Sequence, residues 1–551
     1  MPTTEFISYD ANRKIWSAAT NYPHWSFVNQ SLGQAFLHQM RKLPADQVLE
    51  HYVDTDELRT AGQIYRESVA VAKNLEKLGF KRDEVIVVYS KNNMKATPLI
   101  MGAFLMGAKV NTFDTTLEAE HIDYTLGLLQ PAAIFYDEEF ALKVADSLKR
   151  SPLPSVRYQL SLESSEVPNF DSELLQPVTE EELASFQPAP VNDPQNDTAF
   201  LALTSGSTGL PKVVDVTHSL ILHAIITGWY HTAAPTPPPT GYTIFTFAPL
   251  RWISQLDFML ISLLLGARRV CATKHASGPY GADIVRKTRV RHIFLVPQVL
   301  EDILNTLEES DTESMSSLRV IQIGGEAPSK ALRQLVQKHC VNAKTYCCFG
   351  MTELSGVVTN AEHANAGKLV AGIQMQILDD DMQPLGPNQR GQLYIKAPVP
   401  LKPYLKIDSS GDYFPDGYFL SGDYGFVDEQ HNLHVESRYK DLVRAKDVII
   451  IPNNVEYLIN ELPEVAVSRL VGYRQSEDST ADVGALFVVL KSFATDLPSG
   501  LVRLKIRDVL LAKLSPKENA NIEKILFLSK IPVTNCGKVD RVELRIQASL
   551  L

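Results

Sequence analysis

Cysteine is scarce: the 551-residue chain holds five, Cys271, Cys340, Cys347, Cys348 and Cys536. They are odd in number and lack metal-ligand spacing, which argues against a disulfide framework and fits free thiols in a reducing compartment. The adjacent pair Cys347-Cys348 reads as small packing residues rather than a redox pair. Positive charge is also in short supply. With 53 Lys and Arg against 64 Asp and Glu, the net charge of −11 argues against a nucleic-acid surface, though not against a bound nucleotide. Long apolar runs are missing too. The longest, Phe258 to Leu265, is far too short to span a bilayer and reads as part of a buried helix. The opening Met1-Pro2-Thr3-Thr4-Glu5-Phe6 has no basic segment followed by an apolar one, so no signal peptide is expected. No repeat of 20–50 residues is visible.

What the chain does have is an ordinary globular balance, 45% hydrophobic and 21% charged. Its length allows roughly two to four domains and an ample core. From about residue 60 to 350, short β-branched runs alternate with stretches of helical period. Val85–Tyr89, Ala133–Tyr136, Tyr242–Phe247, His292–Val296 and Val320–Ile323 read as strands. Their near-continuous hydrophobicity suits sheets covered on both faces by helices. Pro188, Pro190 and Pro194 mark an exposed connection, and Pro235 to Pro239 another. Residues 370 to 435 shift to short alternating strands such as Gly391–Lys396, a small β-rich subdomain. A final unit of about a hundred residues follows, with Val483–Leu490 as its central strand.

Between the third proline and the second loop lies the most informative stretch, Thr204-Ser205-Gly206-Ser207-Thr208-Gly209-Leu210-Pro211-Lys212. It follows the apolar run Thr198–Leu203, a buried strand ending in a turn. Two glycines let successive N–H groups face one concavity. Ser205, Ser207 and Thr208 add donors and Lys212 a mobile positive charge. Such a nest suits a polyphosphate. It lacks the spacing of a Walker loop, and taken alone it also reads as a polar turn between strand and helix.

The nine residues resemble the phosphate loop of the adenylate-forming superfamily: acyl-CoA synthetases, 4-coumarate–CoA ligases, insect luciferases and non-ribosomal adenylation domains. Four further segments resemble that family in its own order. They are Phe349–Glu353, Tyr418–Asp423, Arg438–Leu442 and Pro532–Arg541. Gly79–Val85 and Gly107–Asn111 extend the likeness toward the N-terminus, so it covers nearly the whole chain. The nearest branch is that of the insect luciferase-like acyl-CoA ligases.

The resemblance implies an α/β fold: a large N-terminal body of helix-covered sheets with a small β-rich subdomain, then a mobile α+β C-terminal lid. The adenylation domain would span 1–438 and the lid 439–551, with the hinge at Lys440. It implies ATP, Mg²⁺ and coenzyme A as cofactor and co-substrates, and a small-molecule carboxylic acid as partner. Thr204, Ser205, Gly206, Ser207, Thr208, Gly209 and Lys212 would cradle the β- and γ-phosphates. Thr352 would meet the α-phosphate, and Glu353 would help hold Mg²⁺, a hard cation that prefers oxygen ligands. Gly324, Gly325 and Glu326 would form the adenine platform. Asp423, an acceptor-only carboxylate, suits two ribose hydroxyls, with Arg438 beside it. Lys538 would be the catalytic lysine, bridging carboxylate and α-phosphate at the transition state.

The expected activity is ligation of a carboxylic acid, expected to be a medium- or long-chain fatty acid, to CoA through acyl-AMP. The alternatives are a luciferase-type monooxygenase, or an adenylating enzyme impaired in the CoA step. The last rests on Asp447, which stands where thioester-forming relatives carry Gly; a positive φ there would be tolerable for Asp. Other departures are Val213 for Gly, Gln392 for Glu, Ala397 for Gly, and Trp252 where coumarate ligases and luciferases often have His. The expected compartment is the cytoplasm. The ending Ser549-Leu550-Leu551 lacks the Lys of a peroxisomal address, leaving the peroxisome as the alternative.

Overall fold

The computed structural model describes residues 7–19, 29–205, 210–232, 234, 237–311, 313–361, 367–414, 416–476, 479–533 and 539–550. The chain divides into two compact units. One comprises 1–10, 15–375 and 395–419, the other 11–14, 376–394 and 420–551.

The first unit holds two large sheets. A six-stranded one runs in the order Pro211–Thr217, Thr198–Ser205, Lys109–Thr112, Val85–Tyr89, Ala133–Tyr136, Tyr158–Ser161. A nine-stranded one has at its centre the parallel strands Lys344–Met351, Val320–Gly324, His292–Leu295, Thr243–Thr246 and Arg268–Cys271. The strands expected from sequence are present, within two residues of their ends.

Helices between these strands explain the continuous hydrophobicity. Every residue of Ala96–Met106 is buried, as in a helix apolar on all sides. It lies against Val85–Tyr89 and Lys109–Thr112, while helix Ile253–Leu265 lies against Thr243–Thr246 and Arg268–Cys271. Both touch helix Leu32–Met40. The run Phe258–Leu265 is therefore the buried helix its composition suggests. No helix of the described residues is long and apolar enough to cross a membrane.

From residue 370 to 438 the chain forms the short strands Gln374–Leu378, Gly391–Lys396, Phe419–Val427 and Leu433–Arg438. In the second unit Val483–Leu490 is the middle of a three-stranded sheet, between Val465–Tyr473 and Ile522–Phe527. Its alternate residues serve two cores. Leu486 and Val488 pack with Val455, Ile459, Val502 and Ile506 of helices Pro452–Asn460 and Ser499–Lys513. Ala485 and Phe487 pack with Leu544 and Ala548 of helix Arg541–Leu550. A strand covered on both faces must be apolar throughout.

Candidate active site

Strand Thr198–Ser205 does not lead into a helix. It turns back through the loop into a second strand, Pro211–Thr217, paired antiparallel so that Lys212 faces Thr204 and Pro211 faces Ser205. Gly206, Ser207, Thr208 and Gly209 lie outside the described residues, as does the side chain of Ser205. Lys212 is consequently strand-anchored, not the mobile charge expected. Its Nζ stands 4.3 Å from the ring centroid of Tyr404 and 3.6 Å from Asp412 Oδ2. Val213, at the position where Gly is usual, is fully buried in the core beside Leu201, which accounts for its side chain.

Strand Lys344–Met351 ends in a 3₁₀ turn, Thr352–Leu354, that carries Thr352 and Glu353. The Tyr404 hydroxyl donates to Glu353 Oε1 at 2.6 Å. One tyrosine ring thus holds Lys212 on its face and Glu353 at its tip, with Tyr413 edge-on at 5.4 Å. Burial, then the Glu353 charge, push the Tyr404 phenol far above its ordinary pKa, so it remains a donor. Sequence reading missed Tyr404 and Asp412 because neither lies in a motif.

Gly324 ends the parallel strand next to Lys344–Met351, in register with Cys348. A side chain on it would sit 2.9 Å from the ring of Phe294. Gly325 has φ +91°, a conformation that excludes most other residues. Glu326 is exposed and accepts from Gln298 Nε2 at 3.0 Å. The glycine pair and the Thr352–Glu353 turn therefore occupy the C-terminal ends of adjacent parallel strands, where open α/β sheets bind ligands.

Near the same sheet, Arg251 forms an ion pair with Asp114 at 3.1 Å, both largely covered. Trp252 precedes helix Ile253–Leu265 with 38% of its surface exposed.

In the second unit Asp423 and Arg438 face each other across paired strands, and Arg438 Nε lies 3.2 Å from Asp423 Oδ1. Gly422 has φ +71°, and the Asp423 N–H donates to Ser421 Oγ at 3.1 Å. The turn therefore buries the carboxylate while the guanidinium stays half exposed. Lys440 sits in the 3₁₀ turn Tyr439–Asp441, and its carbonyl accepts from Arg545 at 3.2 Å.

Lys538 lies outside the described residues together with Thr534 to Gly537, but the segments on either side are described. Val533 and Val539 form an antiparallel bridge at the base of its loop, and the Asp540 N–H donates to Pro532 O at 2.9 Å. Asp540 accepts from the Glu543 N–H in the first turn of the last helix. Arg541 pairs with Glu456 at 2.9 Å and lies 3.6 Å from Asp441. These two motif residues therefore tie the start of the last helix to Pro532, Glu456 and Asp441. Asp447 is exposed in the turn joining Val443–Arg444 to Ile449–Ile450, and its φ is not positive.

A family model described as AMP-binding enzyme matches residues 36–405. The chain belongs to this family. Among its relatives, 4-coumarate–CoA ligase-like 8 of Arabidopsis thaliana is 26% identical over 481 residues, covering 85% of this chain and 84% of its own. Acyl-CoA synthetase 7 of Caenorhabditis elegans is 24% identical over 536 residues, covering 93% and 95%. The anthranilate–CoA ligase AuaEII, solved with anthranoyl-AMP, superposes with a TM-score of 0.79 at 19% identity. That match covers 95% of this chain and 98% of the ligase, and carries the fold. The family members share the large sheet-rich body and the small C-terminal unit.

Proposed function

We propose that this chain is an ATP- and Mg²⁺-dependent acid–thiol ligase that makes an acyl-CoA through acyl-AMP. The observation that carries this reading is the Tyr404 ring joining Lys212 to Glu353. It brings a cation from the phosphate-loop hairpin next to a carboxylate at the strand end. In the first half-reaction a carboxylate oxygen of the acid attacks the α-phosphorus of ATP, and the bond to pyrophosphate breaks. In the second, the CoA thiolate attacks the acyl carbonyl and AMP leaves.

Both steps call mainly for positioning and electrostatic support. Thr204 through Gly209 and Lys212 hold the β- and γ-phosphates, and Thr352 the α-phosphate. The glycines at 324 and 325 with Glu326 receive adenine, and Asp423 and Arg438 the ribose. Lys538 bridges the two reacting anions, and Lys440 is the hinge of a lid spanning 439–551. Among the described residues no cluster of three His, Cys, Asp or Glu could hold a metal alone. That donor set fits Mg²⁺ arriving on the nucleotide, since the ion usually takes one or two carboxylates plus phosphates. Glu353, with Oε1 fixed by Tyr404, would supply one.

A medium- or long-chain fatty acid is the acid we favour, supported by the relative named an acyl-CoA synthetase. A cytoplasmic site suits the free cysteines at 271, 340, 347 and 348. The test is acid-dependent exchange of labelled pyrophosphate into ATP, followed by thioester formation with CoA. Exchange with no acid across a broad panel would sink the reading.

A second reading concerns Asp447. Its exposed carboxylate at a hairpin turn would repel a thiolate if that turn meets CoA. Adenylation would then outpace thioester formation. Because its φ is not positive, Asp447→Gly changes bulk and charge without relieving strain. A CoA step already fast in the native chain, and no faster in the variant, would dismiss this reading.

A further inference from the structure

Helix Ile253–Leu265 carries a single charged residue, Asp257, in an otherwise apolar and buried sequence. Its Oδ1 is fully covered and has no hydrogen-bond partner. No ion pair reaches the residue among those described. Yet Asp257 is not packed solid, because part of it remains accessible. It therefore keeps a face that a small molecule can reach. Burial alone drives its pKa well above the ordinary carboxylate range, with no neighbouring charge to oppose it.

The position of Asp257 is set by Gly356. A side chain there would stand 4.0 Å from Asp257 Oδ2 and only 3.0 Å from the Cβ of Ala224. Gly356 opens strand Gly356–Ala361 and pairs directly with Met351, the residue before Thr352. Asp257 thus faces the strand that leaves the Thr352–Glu353 turn. At most about 10 Å of chain separates Glu353 from the glycine beside it.

A hydrophobic helix gains nothing from such a carboxyl. Leaving one buried polar atom unmatched costs roughly 1–3 kcal/mol, and more for a charged group. A ligand hydroxyl would match that atom with a hydrogen bond, and a ligand ammonium would stabilise the ionised carboxylate and make the bond charge-assisted, among the strong ones. We propose that Asp257 is a specificity residue for the acid, and that the preferred substrate carries a hydrogen-bond donor, a hydroxyl or an ammonium, on its acyl chain. This rests on the ligase reading above, and narrows the fatty acid to a hydroxylated or aminated one.

The test is pyrophosphate exchange with straight-chain acids of about four to eight carbons, each unsubstituted, ω-hydroxylated or ω-aminated. The native protein should use at least one substituted series with kcat/KM about tenfold or more above its parent. Asp257→Leu should reverse that order. Asp257→Asn should keep hydroxy acids and lose amino acids if the donor is an ammonium, and keep both orders if it is a hydroxyl. Melting temperatures verify that the variants fold, and Asp257→Ala, smaller than the native residue, takes the place of Asp257→Leu if that variant does not fold. Preference for the unsubstituted acids, or a ranking unmoved by both substitutions, would overturn the proposal while leaving the ligase intact. Exchange with no acid at all would instead sink the ligase reading.

Discussion

Tyr404 donates its hydroxyl to Glu353 at 2.6 Å while presenting its ring face to Lys212. The contact predicts a separable effect. Tyr404→Phe keeps the ring under Lys212 and removes only the donor. A lost hydrogen bond to a charged group is worth about 1.5–3 kcal/mol, so pyrophosphate exchange should fall roughly ten- to a hundredfold. Tyr404→Leu should fall further, because the cation–ring contact goes as well. Full exchange in a well-folded Tyr404→Phe would show that Glu353 acts without this hydroxyl.

Asp423→Ala should weaken nucleotide binding by about tenfold with little loss of thermal stability. Its partner Arg438 is half exposed and can be rehydrated, so the ion pair contributes about 1 kcal/mol or less. Calorimetric nucleotide affinity and ligand-free melting, measured together, separate the two effects. An unchanged affinity would make Asp423 a structural residue only.

Lys538→Ala should depress acyl-adenylate formation by roughly two to three orders of magnitude, the scale of one lost transition-state partner. Thioester formation from supplied acyl-AMP should fall much less, since the lid would by then have carried Lys538 away. Equal losses in the two half-reactions would contradict a rotating lid.

Acid should destabilise the fold through three buried imidazoles. Burial lowers His218, His223 and His292 from 6.5 to about 4 each. His218 Nδ1 accepts from the Leu32 N–H at 3.1 Å, which requires that nitrogen to be unprotonated. The unfolded chain therefore binds more protons than the folded one between these values. Stability from these groups is complete above pH 6.5 and is lost as pH falls toward 4, at about 1.4 kcal/mol per pH unit for each ring. Melting temperature should drop across that window, more gently in His218→Asn, which keeps an acceptor without a titrating group. A flat profile would refute the assignment.

Much of this was legible in the chain itself, and the reasons differ by residue. Val483–Leu490 announced the central strand of the last unit because burial on both faces leaves no room for polar alternation. Gly324 and Gly325 were readable because close approach to Phe294 and a left-handed backbone each demand glycine. Tyr404 was silent, since its meaning comes from a long-range contact that no local pattern encodes. Asp540 and Arg541 were visible as a motif but not as braces, because Glu456 and Asp441 reach them only in the folded unit. The return of the phosphate-loop strand into a hairpin was missed, as a Gly-rich turn serves strand–helix and strand–strand connections alike.

That hairpin makes its paired strands intolerant of a shift in register. Side chains alternate along a strand, so the pairing of Lys212 with Thr204 decides which way the ammonium faces. A one-residue shift of Pro211–Thr217 against Thr198–Ser205 would turn Lys212 away from Tyr404 and swing a core side chain such as Val213 outward. Variation at this edge is therefore confined to substitution.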